Sequence, residues 1–346
     1  MPPLLEAQHV RKVFRSGGGL LQADSTETVA VDDFTLAIDG DTPSFTTIAG
    51  ESGSGKTTIA RLLLGVTPPS EGSVRYRGMD VSSLDRDQTR AFRQDVQAIF
   101  QDPFEVYNPF YKIDHILTTP IEKFGLASSR QQAAEQIDEA LRTVGLRPEE
   151  TLGRYPHQLS SGQRQRITIA RALLLKPKLI IADEPVSMVD ASLRATILSS
   201  LHKLYTDFGI SFIYITHDLT TAYQVSDKIV VLYHGTVAEA GDVEHVITDP
   251  KHPYTRELIH SIPVPDPGSA WIEEAVEEKD VEVSDEATGG CRYAPRCAHG
   301  SARCAQMPPL YRLDDGRVAS CVLYDGQEPL ESGDLTRIIG ATPQEE

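Results

Sequence analysis

Apolar residues along this chain fall into two spacings. Short, mainly apolar runs recur at 45–49, 179–182, 210–215 and 229–233. Runs of that length without polar alternation predict strands buried on both faces, as in a parallel sheet. The first leads into a glycine-rich loop and a helix over 57–64, the second ends at Asp183-Glu184-Pro185, the third at Thr216-His217-Asp218, and Gly235 closes the fourth. From about 120 to 175 the period becomes helical, most plainly over 131–144, which predicts an inserted helical subdomain. The N-terminal part, with Gly72-Ser73-Val74-Arg75-Tyr76-Arg77-Gly78, reads as antiparallel strands and turns. Alternating strands and helices make the fold class α/β. After Pro253-Tyr254-Thr255-Arg256 a short helix gives way to a proline-rich stretch at 262–267 and an acidic one at 273–286, read as a linker. A cysteine-bearing tail is expected to form its own small unit. The expected organisation is a main domain over 1–250, its helical subdomain at about 102–175, and an extension over 251–346.

Candidate chemistry enters at the end of the first strand. Gly50-Glu51-Ser52-Gly53-Ser54-Gly55-Lys56-Thr57 fits the pattern G-x-x-x-x-G-K-[ST], and Thr58 follows it. In such a loop glycines let backbone N–H groups converge on phosphate oxygens, and the helix N-terminus adds the positive end of its dipole. Lys56 is expected to reach the β- and γ-phosphates of ATP, and the Thr57 hydroxyl to ligate Mg²⁺. The pattern alone recurs by accident; its place between a predicted strand and a predicted helix makes nucleotide binding the expectation. Asp183 and Glu184 supply the second half of the site, Asp183 orienting the Mg²⁺ shell and Glu184 polarising the attacking water.

Six motifs occur in order: GESGSGKTT, Gln101 within Ile99-Phe100-Gln101-Asp102-Pro103, LSSGQRQR, IIADEP, Ser187-Met188-Val189-Asp190, and Ile215-Thr216-His217-Asp218. Over about 5–240 this order resembles the nucleotide-binding subunits of ATP-binding-cassette (ABC) transporters. The resemblance implies a P-loop NTPase cassette, a RecA-like core with antiparallel β and helical subdomains. It implies that Phe14 stacks on adenine, that Gln101 touches Mg²⁺ and the attacking water, that His217 contacts the γ-phosphate, and that Asp190 lies at a dimer interface. Ser160, Ser161, Gly162 and Gln163 form the signature peptide, expected to open a helix aimed at ATP held by a second ATPase subunit. Binding then closes the pair and hydrolysis releases it. Ser161 stands where the usual signature has glycine, and Ser187-Met188-Val189-Asp190 replaces the usual Ser-Ala-Leu-Asp. Neither departure removes a charged group, and with Lys56, Glu184 and His217 present a hydrolytically competent half-site is expected.

The tail narrows the resemblance. His252-Pro253-Tyr254-Thr255-Arg256-Glu257-Leu258 and Gly290-Cys291-Arg292-Tyr293-Ala294-Pro295-Arg296-Cys297 are similar to the C-terminal extension of oligopeptide/dipeptide (peptide/nickel) importer ATPases. That implies an ATPase energising import of di- or oligopeptides. It would sit at the cytoplasmic face of the membrane, held by two transmembrane permease subunits and served by an extracytoplasmic solute-binding protein. The second ATPase subunit is either a copy of this chain or a different one. A nickel or sugar importer is the nearest alternative. A non-transport cassette ATPase is the alternative of another class, against which stand the single cassette and the lack of a heptad run. Glu105-Val106-Tyr107 departs from the usual small residues near the expected permease contact.

Charge and cysteine content change the picture in two places. A formal net charge of -17, from 50 acidic and 33 basic residues, argues against a nucleic-acid partner and against direct adhesion to anionic lipid. No apolar run is long enough to span a bilayer and the N-terminus lacks a signal pattern, so residence in the cytosol is expected. All four cysteines, Cys291, Cys297, Cys304 and Cys321, lie in the tail. A reducing cytosol disfavours disulfides. The C-x5-C-x6-C spacing followed by Cys321 reads as a [4Fe–4S] cluster, a tetrahedral Zn²⁺ site, or unmetallated packing thiols; a metal would staple a tail too small for a full core.

Overall fold

The structure is a computed structural model, and it describes residues 2–16, 26–102, 106–262, 289–313, 316–330 and 335–339. Strands β1 (Leu5–Ser16) and β2 (Thr26–Ile38) form an antiparallel pair. Fully buried β3 (Phe45–Ala49) then runs into the glycine loop and α1 (Lys56–Leu63). β4 (Glu71–Tyr76) and β5 (Met79–Asp80) complete a four-stranded sheet in the order β2-β1-β4-β5, the antiparallel layer that the glycine-flanked segment predicts. α2 (Arg86–Asp95) opens with a capping box between Asp85 and Gln88 and leads to β6 (Val96–Ile99). Such a cap is worth about 1 kcal/mol.

The helical part follows as α3 (Ile113–Phe124), α4 (Arg130–Thr143), α5 (Pro148–Thr151) and α6 (Ser161–Leu173). α4 coincides with the periodic segment to within one residue at each end. α3 begins well before the predicted change of character and runs through Pro120, which lacks the N–H a helix interior uses. Thr119 Oγ1 turns back to donate to the His115 carbonyl at 2.6 Å in the same stretch.

The remaining cassette elements are β7 (Leu179–Asp183), α7 (Ala191–Phe208), β8 (Ser211–Thr216), α8 (Leu219–Val225), β9 (Lys228–Tyr233), β10 (Thr236–Asp242) and α9 (Val243–Thr248), after which α10 (Pro253–His260) opens the C-terminal tail. Further tail elements are β11 (Tyr311–Arg312), β12 (Val318–Ala319) and α11 (Thr336–Ile339). The main sheet runs β11-β12-β10-β9-β3-β8-β7-β6. Its centre, from β9 to β6, is parallel, with apolar clusters on both sides: Ile48, Ile215 and Leu232 join one, Phe45, Phe212 and Tyr214 the other. Two-sided burial is why the runs at 45–49, 179–182, 210–215 and 229–233 are mainly apolar, interrupted only by the small hydroxyl residues Thr46, Thr47 and Ser211, and not alternating. Because β3, β8 and β7 are parallel neighbours, their C-terminal ends emerge on one edge, where ligands of open α/β sheets bind.

The tail does not stand apart as expected. β12 pairs with β10, setting Glu239 against Ala319 and Ala240 against Val318, so the tail extends the cassette's own sheet. β10 has an edge left open after its hairpin with β9, and pairing satisfies it. Leu335, Ile338 and Ile339 are buried in the same cluster as β2 residues Phe34 and Leu36. The acidic 273–286 stretch lies outside the described residues. Among the described residues, no helix is long and apolar enough to cross a membrane.

Candidate nucleotide-binding and hydrolysis site

The glycine loop is built to approach other backbone closely. Gly50 has φ 152° and Gly55 has φ 101°. A Cβ on Gly50 would lie 2.2 Å from the Leu232 carbonyl oxygen, and one on Gly55 would lie 2.3 Å from that of Ala30. Gly55→Ala is therefore expected to cost about 1–3 kcal/mol of stability and to weaken nucleotide binding; thermal unfolding and binding of a fluorescent ATP analogue check it, and unchanged values in both would refute it. Lys56, buried at the start of α1, donates to the carbonyls of Gly50 and Glu51, both at 2.7 Å. Burial lowers its pKa, while Glu184, Asp183 and Glu51 oppose that fall. Ser54 Oγ is buried with no partner among the described residues, a hydroxyl that an incoming phosphate oxygen would satisfy. Ser52, Gly53 and Thr57 are exposed and Thr58 half-buried.

Strand ends supply the acidic side. Thr57 Oγ1 donates to Asp183 Oδ1 at 3.4 Å, pairing the two groups expected at Mg²⁺. Burial raises the Asp183 pKa, with the Thr57 hydrogen bond and Lys56 acting against it. One residue on, Glu184 adopts φ 45°, a left-handed conformation that costs a non-glycine residue on the order of 1 kcal/mol. Its N–H donates to the Ile215 carbonyl at 2.8 Å, and the Ser187 hydroxyl donates to its carbonyl at 2.9 Å. So held, the Glu184 carboxylate accepts from Gln101 Nε2 at 3.1 Å and meets His217 Nδ1 at 2.9 Å. A carboxylate only accepts, so Nδ1–H donates. Two residues from separate motifs thus converge on the carboxylate of a third.

The other predicted residues are placed as follows. Ser160 caps α6: its Oγ accepts from Gln163 N–H at 3.2 Å, and Gln163 Oε1 accepts from Ser160 N–H at 3.0 Å. These side chains close on the signature peptide itself, with Ser161 the first helical residue. A side chain at Gly162 would meet Leu193 Cδ1 of α7 at 2.8 Å, so glycine there lets the two helices pack. Asp190 occupies the N-cap position of α7 without a side-chain capping bond, exposed beside Met188, which is 54% exposed. Phe14 is 46% exposed on β1, with Lys12 Nζ 5.3 Å from its ring centre, an open platform for a base.

Contacts from the tail are what the sequence did not disclose. Tyr254 and Arg296 reach Glu51 of the phosphate loop, and Arg292 bonds to Asp32 of β2 at 2.6 Å. Each partner is distant in sequence and no motif announces it. All four cysteines line one small pocket with His252 and His299, and none is in a disulfide. Burial raises the thiols of Cys291 and Cys297 and pushes Cys321 up to about 11. Nevertheless, among the described residues no group of three or more His, Cys, Asp or Glu is arranged to hold a metal ion. A shared pocket is thus present without ligand geometry, and the expected [4Fe–4S] or Zn²⁺ centre finds no support in that arrangement.

A strand–loop–helix phosphate cradle, an acidic pair beside it and a separately capped signature helix together define an ATPase cassette. The ABC transporter family profile matches residues 37–187, and that of the oligopeptide/dipeptide transporter C-terminal region matches 238–304. The chain is 39% identical over 320 residues to a probable peptide ABC transporter ATP-binding protein, y4tS, of Sinorhizobium fredii, covering 92% of this chain and 89% of that one. It is 37% identical to the oligopeptide transport ATP-binding protein OppF of Salmonella typhimurium, covering 86% and 88%. A dimeric post-hydrolysis structure of the ATP-binding cassette MJ0796 bound to ADP and Pi matches with TM-score 0.60 at 28% identity, covering 69% of this chain and 98% of that one. The chain belongs to the ATP-binding subunits of ABC transporters, in the group that carries the oligopeptide/dipeptide C-terminal region, and is an ATPase of that class.

Proposed function

We propose that this chain hydrolyses ATP to power an importer of di- or oligopeptides, working as one of a pair of ATPase subunits beneath two permease subunits. The observation that carries the hydrolytic reading is the convergence of Gln101 and His217 on Glu184, next to the Lys56 loop. Residues Gly50 to Thr58 would cradle the phosphates, Lys56 would neutralise the β- and γ-phosphates, and Phe14 would support the adenine. Thr57, Asp183 and Gln101 would hold Mg²⁺, which when bound neutralises charge on the triphosphate. Their fit rests on the Thr57–Asp183 contact, while the buried Ser54 hydroxyl, without a partner among the described residues, suits a phosphate oxygen. Glu184 would take the proton of the attacking water, with His217 and Gln101 fixing its orientation. Ser160, Ser161, Gly162 and Gln163 would present the α6 N-terminus to ATP held by the second subunit, and Asp190 would face that subunit.

The family and the C-terminal region support the peptide reading, as do the peptide-transport relatives. A groove of ≈ 550 Å³ lined by Phe100, Tyr107, Tyr111, His115 and Lys123 adjoins Gln101, with Phe110 86% exposed nearby. That supports a permease segment docking there and a peripheral place at the cytoplasmic face of the membrane, with a solute-binding protein completing the importer. Purifying the complex from its native membrane and screening captured solutes tests the substrate. Recovery of a nickel chelate or a sugar with no peptide would replace it.

For the tail, the finer reading is a [4Fe–4S] or Zn²⁺ centre on Cys291, Cys297, Cys304 and Cys321. The four thiols share one pocket, but among the described residues they are not set in ligand geometry. Anaerobically purified chain is expected to carry stoichiometric iron with sulfide, or stoichiometric zinc. Metal-free protein with four titratable thiols would overturn it.

A further inference from the structure

One residue of the phosphate loop is held from the tail on two sides. Glu51 N–H donates to the Tyr254 hydroxyl at 2.9 Å. Its carboxylate receives a two-pronged contact from Arg296, Nη1 to Oε2 at 3.1 Å and Nη2 to Oε1 at 3.3 Å. Its carbonyl accepts from Lys56 Nζ at 2.7 Å. Glu51 is therefore the point where the tail, the loop and the phosphate-binding lysine meet. Arg296 is itself fixed: it pairs with Glu257 of α10, which also accepts from the Tyr293 hydroxyl. Its guanidinium lies 5.9 Å from the Tyr233 ring centre and 5.8 Å from that of Tyr293. Tyr254 is fully buried against Tyr233, ring centres 4.5 Å apart. A pre-set clamp of this kind lowers the ordering cost of the loop it holds. It also offsets a carboxylate that would otherwise face the incoming triphosphate.

We propose that Arg296, backed by Tyr254, is a positioning residue for the phosphate loop, acting through Glu51, so that the C-terminal tail sets the affinity for ATP. The proposal rests on the ATPase reading of the loop. Among the described residues the Arg296 guanidinium bonds to Glu51 and Glu257 and not to Glu184, Gln101 or His217, so the clamp serves ground state and transition state alike and belongs to KM rather than kcat.

The test is steady-state ATP hydrolysis by the intact transporter, with thermal unfolding as a check on folding. Arg296→Ala is expected to raise the KM for ATP about two- to fivefold with kcat within about twofold, the range of a half-exposed ion pair. Arg296→Lys keeps the charge but loses the fork and falls between. The double variant Glu51→Gln/Arg296→Ala is no weaker than Arg296→Ala alone, because both changes break one contact. Arg296 and Glu51 are 43% and 39% exposed, so salt screens them: from about 0.05 to 0.5 M the KM ratio of variant to wild type narrows toward one. Equal KM values at low salt, a loss confined to kcat, or additive penalties would each overturn the proposal. Wild-type transporter that turns over no ATP would instead overturn the reading it rests on.

Discussion

Glu184→Gln is expected to stop ATP turnover while leaving ATP bound. Glutamine matches glutamate in size, so the backbone contacts of Glu184 with Ile215 and Ser187 stay in place. What changes is chemistry. The carboxylate accepts from Gln101 and His217 together, whereas an amide has one acceptor oxygen and an NH₂ that cannot accept. One donor loses its partner, and no group remains to take the proton of the attacking water. General-base removal costs about 10²- to 10⁴-fold in kcat. Lys56, Thr57 and Asp183 are untouched, so the KM for ATP should move by less than about threefold. If ATP closes the subunit pair and hydrolysis opens it, the variant should accumulate as an ATP-bound dimer. Phosphate release and size-exclusion chromatography in ATP read both effects; phosphate release at the wild-type rate would remove Glu184 from the base role.

How much of this could be read beforehand depended on the range of each interaction. β3, β7, β8 and β9 are legible because a strand buried on both faces leaves a mainly apolar run without polar alternation. Motif order then named Gln101, Glu184 and His217, but their meeting required β7 and β8 to be adjacent parallel strands, which no local pattern states. β11 and β12 are two residues each, too short for an alternation to register, so their pairing onto β10 was hidden and the tail read as separate. Arg296 lies 245 residues from Glu51, and its neighbourhood advertised only cysteines. Those cysteines carry a further lesson. Spacing can bring thiols to one pocket without setting their sulfurs in ligand geometry.

Arg317→Ala is expected to produce the largest loss of stability. Arg317 is 2% exposed and Glu239 fully buried, with Nη1 4.0 Å from Glu239 Oε1. The guanidinium also donates to the carbonyls of His245 and Asp249 at 2.7 and 2.6 Å, while Glu239 accepts from the N–H groups of Lys251 and His252. This cluster joins the later part of the tail to β10 and to the start of α10. Removing one buried charge strands the other and costs about 3–5 kcal/mol. Burial already raises the Glu239 pKa above the ordinary 4.5, and the amides of His252 and Lys251, Thr255 and Arg317 hold it down. A carboxyl with a raised folded pKa takes up a proton on folding. Its stabilising share is complete below 4.5 and is lost as pH rises through the folded value. Losing Arg317 lifts that value further, so the penalty in denaturant titrations should be larger at about pH 8 than at about pH 5. Pairing Arg317→Met with Glu239→Gln should recover most of the loss, because neither charge then remains buried alone. A penalty below about 1 kcal/mol, or one equal at both pH values, would show that the tail is anchored by its strand pairing and not by this ion pair.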